Sequence, residues 1–157
     1  MGVRACAVVA LKRAPHPPYN RGMSREATAR TLAEHGIRPS PQRLAIAEWV
    51  LASSAHPSAD RVFEAVRGRT PAISRATVYN TLNLLVAKGL LRPLVLAEGK
   101  VVFDPLVERH HHFIDEETGA IHDVPWNALE VRRLEALPGF EVREYQVVVR
   151  GKRSRGR

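Results

Sequence analysis

The chain has 157 residues and a single cysteine, Cys6, which excludes an intramolecular disulfide and any cysteine-rich zinc site within one chain. Metal chemistry must therefore use histidine and carboxylate. Long apolar runs are missing as well: the run from Ala5 to Leu11 is far short of the roughly 18 consecutive residues that a membrane span requires. No membrane is expected as a partner. That run follows Arg4 in the manner of a secretory leader, but Lys12 and Arg13 close it early and no small-residue cleavage site follows. The expected location is cytoplasmic.

What is present is the composition of a folded chain. With 45% hydrophobic residues, the sequence can bury one sizeable core or two small ones. Its formal charge of +8 is unevenly placed. Residues 1–22 carry four basic side chains and no acids, residues 23–100 eleven against six, residues 101–149 four against ten, and residues 150–157 add five basic side chains. A basic N-terminal half followed by an acidic stretch fits a nucleic-acid-binding unit beside one that collects cations. Chance asymmetry with solvated tails gives the same counts.

Residues 1–22 include Pro15, Pro17, Pro18 and Gly22 without an apolar period, so a mobile arm is expected, and Met23 is a candidate start. Beyond it, Ser24 can cap a helix running to His35, with Gly36 where a left-handed residue ends it. Ser40 and Pro41 pair an N-cap with a first-turn proline ahead of the stripe Leu44, Ile46, Ala47, Val50 and Leu51. Ser58 opens a third helix, with Val62, Phe63 and Val66 inward, ending near Gly68. Ser74 opens a fourth, through Ala76, Val78, Leu82, Leu85 and Val86, until Lys88 and Gly89 stop it. Its polar face carries Arg75, Thr77, Tyr79, Asn80 and Asn83, residue types that reach base edges and phosphates from a recognition helix in a major groove. Strands over Leu90–Leu96 and Val101–Phe103, joined across Ala97 to Lys100, complete a winged helix. A generic helical bundle with a polar surface satisfies the same pattern.

Downstream lie Asp104, the triplet His110-His111-His112, the run Asp115-Glu116-Glu117, and His122-Asp123. Alternate residues of a strand share a face, so His110 and His112 can approach one ion together while His111 points away. Imidazole and carboxylate suit borderline divalent ions such as iron, manganese and zinc. A solvated histidine loop is the alternative, which the flanking Asp104 and Asp123 make less natural. By itself His56 reads as a helix-entry residue.

Several stretches then carry a resemblance: Gly36-Ile37-Arg38-Pro39-Ser40-Pro41-Gln42-Arg43, Ala55-His56-Pro57-Ser58-Ala59-Asp60, Ser74-Arg75-Ala76-Thr77-Val78-Tyr79-Asn80-Thr81-Leu82 and the histidine triplet. Their order and spacing resemble the ferric-uptake-regulator (Fur) family, over about residues 24–150. The resemblance implies an α+β fold: an N-terminal winged helix-turn-helix over residues 24–103, then a small α/β dimerisation and metal-sensing domain over 104–150. Residues 1–23 would be the arm and 151–157 a basic tail. Strands are expected over Gly119–Val124 and Phe140–Val149, with a helix over Asn127–Ala136 between them.

The same resemblance implies a regulatory divalent metal, Fe2+ or Mn2+ with Zn2+ able to substitute, between the domains. Its ligands carry over to His56, Asp104, His110, His112 and Asp123. Aspartate at position 123 is similar to the peroxide-sensing branch, in which bound iron promotes oxidation of a ligand histidine, here His56 or His110. Tyr79 resembles a base-contacting residue, with Arg75, Thr77 and Asn80 as helpers. Many members hold a structural zinc with paired cysteines; here the first pair's positions are Asp115 and Thr118 and the second pair is absent, so no structural zinc is expected. That loss is similar to the iron-response-regulator branch, but the haem-type Cys-Pro pair is missing because Cys6 precedes Ala7. A second family metal site is matched only at His111 and Glu130 and is not expected. The implied protein is a homodimeric repressor of iron-homeostasis or peroxide-stress genes, with double-stranded palindromic DNA as its partner and no enzymatic activity. The rival readings are a metal-independent winged-helix regulator and, from another class, a metal-dependent hydrolase using the same ligands to activate water, for which the sequence offers no evident general base.

Overall fold

The computed structural model describes residues 23–96, 99–134 and 137–153; residues 1–22 of the expected arm, Cys6 among them, and residues 154–157 of the basic tail lie outside them. Helices α1 (Arg25–Glu34), α2 (Pro41–Leu51), α3 (Ala59–Arg67) and α4 (Arg75–Ala87) each start after the serine that the sequence marks as a cap. The hydroxyls of Ser24, Ser40, Ser58 and Ser74 accept the backbone N–H groups of Ala27, Arg43, Arg61 and Thr77, satisfying a donor that the helix start leaves free. Two ends close in one way. Gly36 at φ 69° and Gly89 at φ 73° take the left-handed conformation, which lets the Ile37 N–H return to Leu32 O at 2.8 Å and the Leu90 N–H to Leu85 O at 2.9 Å.

The stripes facing inward from these helices make one core, in which Leu32, Ile46, Val50, Val62, Leu82 and Leu85 are fully enclosed. Each such side chain contributes about 1.5–3 kcal/mol relative to exposure. Leu44, Leu51, Phe63 and Val86 pack at its edge, and Ala76 is exposed. Strands β1 (Arg92–Val95) and β2 (Val101–Asp104) form an antiparallel hairpin with Arg92 opposite Asp104 and Val95 opposite Val101. The first wing strand starts later than expected because Leu90 takes part in the α4 end and Leu91 is drawn into the core.

A second sheet follows, in the order β4 (Ile121–Pro125), β3 (His110–Asp115), β5 (Val148–Gly151), with β3 antiparallel to β4 and parallel to β5. The expected strand over 119–124 thus begins at Ile121. The expected helix over Asn127–Ala136 is not formed among the described residues: a 3-10 turn spans Trp126–Ala128, and Arg133 at φ 66° lies in the left-handed region, which a continuing helix excludes. The strand expected over 140–149 is reduced to β5. One cause serves both. None of the described residues from 125 to 153 is buried, and a short helix or strand without a covered apolar face does not hold on propensity alone.

Candidate metal centre and recognition face

The site is assembled from stretches with separate anchors. His56 precedes the Ser58 cap of α3, and its loop is stitched to the wing by the Phe103 N–H on Pro57 O at 2.9 Å and a bridge between Ser58 and Val102. Asp104 ends β2; one carboxylate oxygen, Oδ1, accepts the Leu106 N–H at 2.8 Å, which leaves Oδ2 turned to the histidines. Strand alternation puts His110 and His112 on one face of β3, and the β3–β4 register sets Asp123 directly opposite His112. One donor atom from each of His56, Asp104, His110, His112 and Asp123 therefore lies within 4.8 Å of every other.

The three imidazoles point the same atom inward. His112 Nε2 is 3.1 Å from His56 Nε2 and 3.0 Å from His110 Nε2. His110 Nε2 approaches Asp104 Oδ2 at 2.8 Å and His56 Nε2 approaches Asp123 Oδ1 at 2.8 Å. These side chains are at most 6% exposed. Burial pulls the His56 imidazole down, but hydrogen bonds and charge from Asp104 and Asp123 outweigh it and push it up to about 9. His110 is raised against the same burial by Asp104 and the Glu108 carbonyl. Burial pushes Asp104 upward, yet hydrogen bonds from His110, His112 and His56 hold it well below the usual carboxylate range.

The residues fit a divalent cation. Nitrogen–nitrogen separations of 3.0 and 3.1 Å are short enough for neighbouring imidazoles to share one ion through ligand bonds of about 2.1 Å. His110 donates Nδ1–H to the Glu108 carbonyl at 2.8 Å, which fixes the tautomer whose Nε2 lone pair faces the cluster. Three nitrogens and two carboxylates suit manganese, iron or zinc.

His111 lies on the opposite face of β3, fully buried, 4.4 Å from the Trp126 ring, and its Nδ1 accepts the Val147 N–H at 3.3 Å. Glu130, the other residue matching the family's second site, is exposed and paired with Arg132. Asp115, buried at the end of β3, accepts the Glu117 N–H at 3.0 Å and so forms a tight turn with Thr118.

On α4 the four residues expected to meet DNA part company. Tyr79 is 52% exposed and Asn80 is exposed beside it, as is Asn83 a turn further on. Thr77 is half-buried, its hydroxyl 2.9 Å from that of Ser74 in the cap. Arg75 is turned onto α3, paired with Asp60 and with Glu64 at 3.5 Å, its guanidinium 4.6 Å over the Phe63 ring. A groove of about 410 Å³ beside α4 is lined by Ser40, Gln42, Arg43, Thr77, Asn80 and Thr81. Gln42 and Arg43 belong to the Gly36–Arg43 stretch that carries the family resemblance, but nothing local to them indicates that α2 brings them beside Asn80.

The model of the ferric uptake regulator family matches residues 34–150. The peroxide operon regulator of Bacillus subtilis is 39% identical over 123 residues, 77% of this chain and 85% of that protein. Among solved structures, the Vibrio cholerae ferric uptake regulator is 25% identical with a TM-score of 0.64, covering 79% of this chain and 98% of that one. A zinc-bound manganese uptake regulator is 25% identical with a TM-score of 0.60, covering 81% and 99%.

Proposed function

The chain belongs to the ferric uptake regulator family, and from that premise we propose that it is a metal-responsive transcriptional repressor whose DNA affinity is set by one divalent cation held by His56, Asp104, His110, His112 and Asp123. The observation that carries this is the meeting of those donors within 4.8 Å although they belong to two separately built units. His56 and Asp104 are joined through the loop-to-β2 hydrogen bond; His110, His112 and Asp123 stand on β3 and β4. Residues 105–109 connect the two sets. Completing the ligand set requires that the winged helix and the second sheet close on one another, and a difference in affinity of about 10⁴-fold between closed and open forms suffices to invert their populations.

In the closed form two copies would present Tyr79, Asn80 and Thr77 to a palindromic operator. The second copy would lie on the exposed apolar side chains Leu137, Phe140, Val142 and Val148. Lysine and arginine would add salt-dependent phosphate affinity. Arg75 would act chiefly by orienting α4. Among the described residues no helix is long and apolar enough to cross a membrane. The proposed regulator works in the cytoplasm, where its DNA is, and catalyses no reaction. Asp115 and Thr118 close their turn by hydrogen bonding, and the proposal places no structural zinc there.

Peroxide-stress genes are favoured as targets by Asp123 and by the likeness to the Bacillus subtilis protein, with iron-homeostasis genes the alternative. Iron(II), when bound, would supply the electrons that reduce peroxide beside His56 and His110. Elemental analysis of protein purified without added metal, paired with a mobility-shift assay with and without Mn2+, tests the proposal. Binding that rises with Mn2+ is expected; equal shifts in both lanes would indicate a metal-independent winged-helix regulator, and hydrolysis without DNA binding a hydrolase. After peroxide treatment of the iron form, mass spectrometry should find oxygen added at His56 or His110. An unmodified chain that keeps its DNA counts against peroxide sensing.

A further inference from the structure

An ion pair crosses from the wing to the segment that leads into β5, between Arg92 on β1 and Glu144, and closure by the cation alone leaves it without a role. Arg92 is the cross-strand partner of Asp104, so a force on its guanidinium acts on the end of the hairpin that supplies a ligand. Glu144 starts a strap fixed firmly to β3. The Tyr145 ring lies 4.7 Å from Trp126, which packs 4.4 Å from His111. The Val147 N–H donates to His111 Nδ1 at 3.3 Å, and Val147 O accepts the His112 N–H at 3.0 Å. The strap therefore runs from the wing directly to the strand that carries His110 and His112.

We propose that Arg92 and Glu144 are positioning residues of the metal switch, a charged latch that holds the Asp104 end of the wing against the ligand strand before a cation is bound. This rests on the five-residue cluster being the metal site. Cation affinity scales with the fraction of molecules already closed, so a pair that raises this fraction tightens binding without touching the ion. The side chains are 31% and 58% exposed, hence the latch is screened by salt. Rising ionic strength then loosens cation binding through the latch, besides weakening phosphate contacts.

The test is a charge-reversal cycle on the full-length, metal-stripped protein: Arg92→Glu, Glu144→Arg and the double variant, titrated with Mn2+ by calorimetry at low and high NaCl, without DNA. Each single reversal is expected to weaken Mn2+ binding roughly two- to fivefold and to flatten its dependence on NaCl, with the double variant recovering both. Arg92→Gln and Glu144→Gln provide the same comparison should reversal disturb the wing. Unchanged Mn2+ affinity in the single variants, or a double variant no tighter than the weaker single, overturns the latch. Arg92 acting only as a phosphate contact would give that unchanged affinity together with weaker DNA binding. His112→Ala in the same titration separates the two proposals: if it binds Mn2+ like the native chain the metal site itself fails, whereas its loss beside unaffected Arg92 variants removes only the latch.

Discussion

In the winged-helix half the enclosed side chains are mostly apolar, a cluster running from Leu32 to Phe103, with Thr28, His56 and Thr81 as the buried polar ones. In the half that follows, the buried residues are Asp104, His110, His111, His112 and Asp115, with only Ile114 and Val124 as apolar company among the described residues. The first interior gains free energy from removing hydrocarbon from water. The second encloses groups whose burial is costly unless they are paired or bound to a cation. The first unit should therefore be stable on its own account, while order in the second depends on what occupies its polar centre and covers its outer face.

The largest expected effect lies in the first interior. Leu82→Ala should lower the unfolding free energy by about 2–5 kcal/mol whether or not metal is added, measured by urea denaturation. A loss that metal erases would mean that the two halves do not differ in this way. Next is the ligand set: His112→Ala should weaken Mn2+ binding by at least about a hundredfold, near 2.7 kcal/mol, in calorimetric titration, while helix content measured by circular dichroism stays as in the native chain. Collapse of the helices in that variant would show the polar centre to be structural for both units.

A third effect follows from protonation. His56 is raised to about 9, so protons compete with the cation at neutral pH. Affinity should rise by about tenfold per pH unit for each proton displaced and level off above about pH 9. The sign reverses for the metal-free chain. There the raised His56 contributes stability that is fully present below its ordinary value of 6.5 and is lost as pH rises through about 9. Proton release on Mn2+ addition, followed in weakly buffered solution, checks the first statement; metal affinity independent of pH between 7 and 9 would contradict it. The smallest effect concerns a helix start: Ser74→Ala should cost about 1 kcal/mol by freeing the Thr77 N–H at the head of α4, visible in the thermal midpoint and absent if the cap is redundant.

The helical half was legible because its signals are local. A serine hydroxyl three residues before an N–H, or a glycine that can adopt positive φ, acts within a few residues wherever the chain folds. Most of the winged-helix core followed from the same periodicity, apart from Ala76, which is exposed. The pairing of His110 with His112 was legible too, since alternation on a strand is a property of its backbone. Asp123 was marked only as a carboxylate flanking the triplet, and His56 not at all: in local pattern it was a helix-entry residue, and only resemblance joined it to the cluster. The last part of the chain misled, because the segment expected as a helix has helical composition, yet none of its described residues, 127–134, is buried.

Sequence by itself determined where the four helices of the winged helix begin and end, most of the side chains that they turn into the core, and that one strand would present two imidazoles on one side. Tertiary structure decided that Asp123 stands opposite His112, that the Pro57 carbonyl ties His56 to β2, that Arg75 turns to α3, and that Arg92 meets Glu144. The reason is range. Capping, helix termination and strand alternation are settled by neighbours along the chain, whereas donor atoms contributed by residues far apart in sequence meet only when packing sets the register of whole elements.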